Sequence, residues 1–157
     1  MKRLVIAYLL VAGVVSATVA QSPAFDYRAG FSAIVVRDVD ASVDWYKKVF
    51  GLNTIKEISD QNIGMKIVIL ESPSLTLELL QLGGSLSRKD LVQGKKEGTE
   101  IQGHLKMGFT VPNIDACIKH LSSLKIEVPR VWTDSDTKRR NFLITDPEGN
   151  LIQFFEK

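Results

Sequence analysis

The chain has 157 residues, 45% of them hydrophobic and 24% charged, with one cysteine, two histidines and a formal charge of +2. Such a composition belongs to one ordinary globular domain, neither disordered nor collagen-like. A lone cysteine excludes a disulfide framework and any cysteine-only zinc site, two histidines exclude a histidine-rich metal centre, and so small a charge gives no reason to expect binding to nucleic acid.

The chain opens on a short basic start, Lys2 and Arg3, followed by an uncharged run from Leu4 to Val15 and a stretch of small residues from Ser16 to Ala20. This layout predicts a secretory signal peptide over residues 1–20, with Thr18 and Ala20 before the cut and cleavage before Gln21. The alternative is an uncleaved anchor, because Leu4–Ala20 lies at the lower edge of what spans a hydrocarbon core of about 30 Å. No cysteine follows the small-residue site, which argues against a lipoprotein. Cleavage would remove two of the 20 basic residues and none of the 18 acidic ones, leaving residues 21–157 neutral. The expectation is a secreted or periplasmic protein with no stable membrane insertion after cleavage. In such a protein the unpaired Cys117 reads as a small core residue rather than a reactive thiol.

From residue 29 onward the sequence reads as one module written twice. Adding 75 to the number places Ile34 on Phe109, Val36 on Val111, Val39 on Ile114, Asp40 on Asp115, Ala41 on Ala116 and Val43 on Ile118. Each stretch reads as an apolar strand, a turn with an acidic helix start, and an amphipathic helix, the second over Asp115–Leu124. Gly51 marks the C-terminal stop of the first helix, and Trp45 and Tyr46 read as helix–sheet packing. Shorter strand candidates follow at Asn53–Ile58 and Ile126–Val131. Each module then ends on a hairpin: Ile67–Leu70 and Leu75–Leu80 around Pro73, answered by Asn141–Ile144 and Asn150–Phe155 around Pro147. In the second hairpin Pro147 presets φ, Gly149 permits a positive φ, and Asp146 is placed to accept from the turn amides.

The modules cover about 29–82 and 104–157, joined by a linker at 83–103 that carries Gly83, Gly84, Gly94, Gly98 and Gly103. It reads as a surface crossing, either a mobile lid or an inert connector. Residues 21–157 thus form a single domain of α+β class: two βαβββ modules whose half-sheets form a cup-shaped mixed sheet, with the helices outside.

Two stretches carry a family resemblance. Val36–Leu52, with its helix start, aromatic pair and terminal Gly51 and Leu52, and Ile144–Gln153, with its Asp146, Pro147, Gly149 and Asn150 turn, resemble the vicinal oxygen chelate superfamily of glyoxalases, bleomycin resistance proteins, methylmalonyl-CoA epimerases and extradiol dioxygenases. The resemblance covers nearly all of residues 29–157. It implies that metal-dependent relatives would place ligands at the start of each module's first strand and within its last. Those positions are Phe31, Glu78, Lys106 and Gln153. Phe31 cannot ligate, Lys106 is a poor ligand unless deprotonated, Glu78 is a good one, and Gln153 is a weak neutral one. No cofactor is therefore expected, with Glu78, His104 and Gln153 as the candidates should a divalent ion bind.

Strand alternation assigns the faces. Ser32, Ile34 and Val36, and Met107, Phe109 and Val111, are expected to face the helices. Phe31, Ala33 and Val35, and Lys106, Gly108 and Thr110, would face the cup, with His104 on that same side. Were Glu78 and Lys106 both in the cup, the ammonium would stand where a cation is missing and keep the carboxylate ionised; alternatively Lys106 snorkels to solvent. His120 reads as a surface residue. Arg139 and Arg140 read either as a solvated loop or as a guanidinium at the cup mouth that would hold a carboxylate or phosphate.

The leading functional expectation is an exported binder of a small organic ligand. Its cup would be lined by Phe31, Leu80, Leu151 and Phe155, with Glu78, Lys106, His104 and Gln153 as the polar set. The second is a glyoxalase-like lyase or isomerase in which Glu78 is the catalytic base next to a carbonyl and Lys106, or a metal, stabilises the enolate. A third, an interaction module assembled through sheet edges, has no specific support. A homodimer is expected, since half-cups close within or between chains.

Overall fold

A computed structural model describes residues 31–99 and 101–157. The expected signal segment and its cleavage site lie outside the described residues. Eleven elements follow in order: β1 (Phe31–Val36), α1 (Val39–Phe50), β2 (Asn53–Asp60), β3 (Met65–Ser72), β4 (Leu75–Gln81), α2 (Arg88–Val92), β5 (Lys106–Val111), α3 (Ile114–Ser123), β6 (Val131–Thr133), β7 (Arg140–Thr145) and β8 (Leu151–Glu156).

The strands form two four-stranded mixed sheets, ordered β1-β4-β3-β2 and β5-β8-β7-β6. In each, the first strand runs parallel to the last and the remaining pairs are antiparallel. The helix between first and second strands lets the chain cross from one edge of a sheet to the other, as a parallel pairing requires. The register repeats with the sequence: Ala33 faces Glu78 in the first sheet, and Gly108 faces Gln153 in the second.

The first helix forms because Val39, Ser42, Tyr46 and Val49 recur at helical spacing and are all buried on one stripe. Asp38 caps its start, accepting from the Ala41 amide at 2.9 Å. Gly51 ends it at φ 65°, its N–H returning to the Lys47 carbonyl. The third helix starts on an equivalent cap, Asn113, but ends differently. Lys125, not a glycine, takes the left-handed conformation at φ 61°, and the Ile126 N–H reaches back 3.0 Å to the Leu121 carbonyl.

That ending corrects the strand expected at Ile126–Val131. Only Val131 of that stretch enters β6; the chain before it spends Ile126 and Val128 on packing against the core, and Pro129 supplies no ladder donor. The linker also departs from a featureless crossing. It carries α2, with Ser87 and Asp90 forming a reciprocal capping box.

Both modules share one core. Val36, Leu70, Leu77 and Leu79 from the first, and Ile114, Leu121, Phe142 and Ile152 from the second, are essentially fully buried within it. The first helix joins them: Phe50 stacks 5.9 Å from Phe154 and lies 4.8 Å from Phe109. Tyr46, fully buried, donates 2.9 Å to Asp146 Oδ2 in the second module's hairpin turn. Asp146 also accepts from the Glu148 and Asn150 amides, and Gly149 sits at φ 84°. Among the described residues, no helix is long and apolar enough to cross a membrane.

Candidate functional site

With the helices and the core on one side, the other face of each sheet is the cup side. In β1, Ser32, Ile34 and Val36 turn toward the core, while Phe31, Ala33 and Val35 are exposed on the cup side. In β4 the buried Leu77 and Leu79 face the helix, which places Thr76, Glu78 and Leu80 on the cup side. The second sheet repeats this. Met107, Phe109 and Val111 pack on the core, and Lys106, Gly108 and Thr110 do not. Ile152 and Phe154 are core residues, so Leu151, Gln153 and Phe155 line the cup.

The register then defines the lining. A row of aliphatic side chains crosses the first sheet through Val35, Leu80, Ile67 and Ile58. The next row runs through Ala33, Glu78, Ile69 and Lys56. Glu78 is half-buried and makes no hydrogen bond or ion pair among the described residues. Lys106 is exposed, and no ion pair joins it to Glu78, although the two occupy the same side of their respective sheets. Phe31 stands at the lip, 64% exposed. In the second sheet the Phe155 ring leans over β5, where a Cβ on residue 108 would stand 3.1 Å from Phe155 Cε2; Gly108 makes the room for that ring.

Between the edges of β1 and β5 lies a cavity of about 450 Å³, bounded by Phe31–Val35, His104–Met107, Asn150 and Leu151. A neighbouring one of about 330 Å³ continues it toward the linker and the β7–β8 turn, with Arg88, His104 and Glu148 on its walls. His104 borders both, its side chain exposed. Arg88 secures the linker here by donating 2.8 Å to the carbonyls of Ile101 and His104. Arg37 reaches Asp90 across the same junction, and Glu148 Oε1 accepts from the Arg37 and Asp38 amides at the start of α1.

The remaining polar candidates fall elsewhere. Arg140, on the core side of β7, forms a bidentate pair with Asp115 at 2.7 and 2.9 Å and approaches Glu156, so it is not the guanidinium imagined at the cup mouth. The arginine beside it holds the Asp115 carboxyl below its usual range. His120 contacts the Val49 carbonyl at 3.1 Å and helps join α3 to α1. Cys117 is half-buried on α3, where desolvation pushes its thiol up and away from reactivity.

The sequence reading missed Asn141. It is 1% exposed, sits on the cup side of β7 opposite Trp132 and Phe155, and accepts from Gln153 Nε2 at 2.7 Å. The available signal was its polarity at an alternating position of an otherwise apolar strand, on the same face as Gln153. Among the described residues, no group of three His, Cys, Asp or Glu side chains assembles in a way that would hold a metal ion.

A family model for the Glyoxalase/Bleomycin resistance protein/Dioxygenase superfamily matches residues 28–154. A probable trivalent organoarsenical cleaving enzyme from Bacillus subtilis (strain 168) is 28% identical over 125 residues, which span 76% of this chain and 73% of that protein. The fold resembles a glyoxalase family protein from Enterococcus faecalis, with TM-score 0.71 and 20% identity over 82% of this chain and 97% of the other. It also resembles a genomically encoded fosfomycin resistance protein from Listeria monocytogenes, with TM-score 0.59 and 10% identity over 85% and 95%.

Proposed function

This chain belongs to the Glyoxalase/Bleomycin resistance protein/Dioxygenase superfamily, and from that premise we propose that it is an exported protein that binds a small organic ligand in its cup, without a metal centre of the family's usual kind. The observation that carries the reading is the donor set. Phe31, Glu78, Lys106 and Gln153 occupy the cup-facing positions where the resembled metal sites would be. One carboxylate, one neutral amide, an ammonium and a phenyl ring do not make a site for zinc, magnesium or a transition ion. The lining is instead mostly aliphatic and aromatic with a few polar groups, the usual make-up of a small-molecule site. Export rests on the N-terminal pattern alone, and a homodimer is proposed with it.

One feature favours a second reading. Glu78 is a carboxylate set between Ala33 and Ile69 with no partner among the described residues, as a base waiting for a carbonyl compound's α-proton would be. In that case the protein is a glyoxalase-like lyase or isomerase. Metal analysis of the purified protein tests the main reading. The expected result is less than one divalent ion per ten chains, and a stoichiometric ion lost in Glu78→Ala would overturn it. Solvent-proton exchange into thiol-conjugated α-ketoaldehydes tests the second: activity must fall at least a hundredfold in Glu78→Gln, by about the usual contribution of a positioned base.

A further inference from the structure

The buried amide pair of the second sheet defines what the ligand must carry. Gln153 is only 5% exposed, and its Oε1 is buried without a hydrogen-bond partner among the described residues. The surrounding hydrogen-bond network assigns the orientation of that oxygen. Asn141 Nδ2 lies 3.4 Å from both the Trp132 and the Arg139 carbonyls. Turning the Asn141 amide over would exchange those two N–H···O contacts for two unfavourable O···O ones, so the network favours Oδ1 facing Gln153. The 2.7 Å contact between them is then attractive only if Gln153 offers its N–H. Gln153 Oε1 is thereby held pointing away from Asn141, a desolvated acceptor on the cup side of β8.

Its neighbours do not satisfy it. Across the register stand Gly108, which has no side chain, and Leu143, which is apolar. Lys106, the next cup-facing residue on β5, is turned to solvent and gives it no hydrogen bond. The Phe155 ring lies over Gly108 beside it, so a ligand reaches this oxygen by turning that side chain aside, a rotamer change. A buried acceptor left empty is costly, and filling it is correspondingly favourable.

We propose that Gln153 Oε1 receives a hydrogen-bond donor from the ligand, so that the cup selects neutral or cationic organic molecules bearing an N–H or O–H at the edge of an apolar surface. Carboxylates and phosphates, whose oxygens would face another oxygen, are rejected at this point. The inference rests on the ligand-binding reading above and adds to it the chemical class of the ligand. Asn141 acts through Gln153 and is a positioning residue.

Matched fragments test it: indole against benzofuran, and benzimidazole against benzoxazole, each pair alike in shape but differing in one N–H. Affinities come from nuclear magnetic resonance titration of the whole chain, following the Gln153 side-chain amide. The donor member of each pair should bind about five-fold tighter or better and shift the Gln153 amide signals, while its counterpart does not. In Gln153→Met that advantage should vanish, the two members of each pair then binding alike. Equal binding within the pairs, or a donor preference that survives in Gln153→Met, overturns this inference and leaves the ligand-binding reading standing. Should no fragment bind in the cup, both fall. If Gln153→Met does not fold, the amide shifts in the unaltered protein decide.

Discussion

Tyr46 shows what one side chain does here. It reads as an aromatic of the helix–sheet interface, and it is fully buried there, edge-on to Trp45 at 4.9 Å. Its hydroxyl adds a bond that no local pattern announces, to an Asp146 that is one hundred residues away. Burial first, and then the negative charge of Asp146, hold the phenol well above its ordinary value. The folded state therefore keeps a proton that the unfolded chain loses near pH 10. The stabilisation is complete below that pH and is lost as pH rises beyond it. Urea titrations at pH 8 to 11 should show stability falling more steeply in the native sequence than in Tyr46→Phe, by up to about 1.4 kcal/mol per pH unit. Identical slopes would refute the assignment. At the same scale, Glu78 and Gln153 were singled out as cup residues by the family resemblance. That Gln153 is locked by Asn141 was not, because the lock depends on two backbone carbonyls brought up by β6 and the following loop.

At the scale of elements, helix starts and stops were the most readable features. Asp38 and Gly51 bracket α1 through purely local geometry. Gly51 has open space where a Cβ would go, so only its positive φ resists substitution. Gly51→Ala should cost about 1–2 kcal/mol and Gly51→Asn less, read as a shift of the denaturation midpoint at constant slope. A zero effect would mean the helix end re-forms in another conformation. The second module's counterpart is Lys125, and its unannounced left-handed turn is why the stretch after α3 was taken for a strand. Apolar Ile126 and Val128 fit either a strand or a core-packed loop, and only the position of the sheet edge separates the two. The short α2 was hidden among glycines for a similar reason. Its capping box is local, but its docking through Arg37 and Arg88 is not.

Across the whole molecule, two half-domains are made into one by an aromatic cluster. Phe50 touches Phe109 and Phe154 of the other module, and Tyr46 and His120 make the same crossing. Unfolding should accordingly be a single transition. Phe50→Ala should lower the stability by about 3 kcal/mol, a larger loss than one exposed helix position gives, and should broaden or split the transition. A native protein that unfolds in two separate steps would show instead that each module stands alone. The two cavities lie elsewhere on the seam between the modules, between the edges of β1 and β5.

The sequence by itself determined the duplication, the α+β class and the face each module's first strand presents, because these are written in periodicities of two, of about 3.6 and of seventy-five, while the family was legible in the Val36–Leu52 and Ile144–Gln153 stretches. Only the tertiary structure decided which polar groups remain available. Arg140 was withdrawn to Asp115, Asp146 was taken up by Tyr46 and its own turn, and one oxygen of Gln153 was left buried and unanswered among the described residues. Alternation along a strand says which way a side chain points. What satisfies it depends on partners that the fold brings from far along the chain.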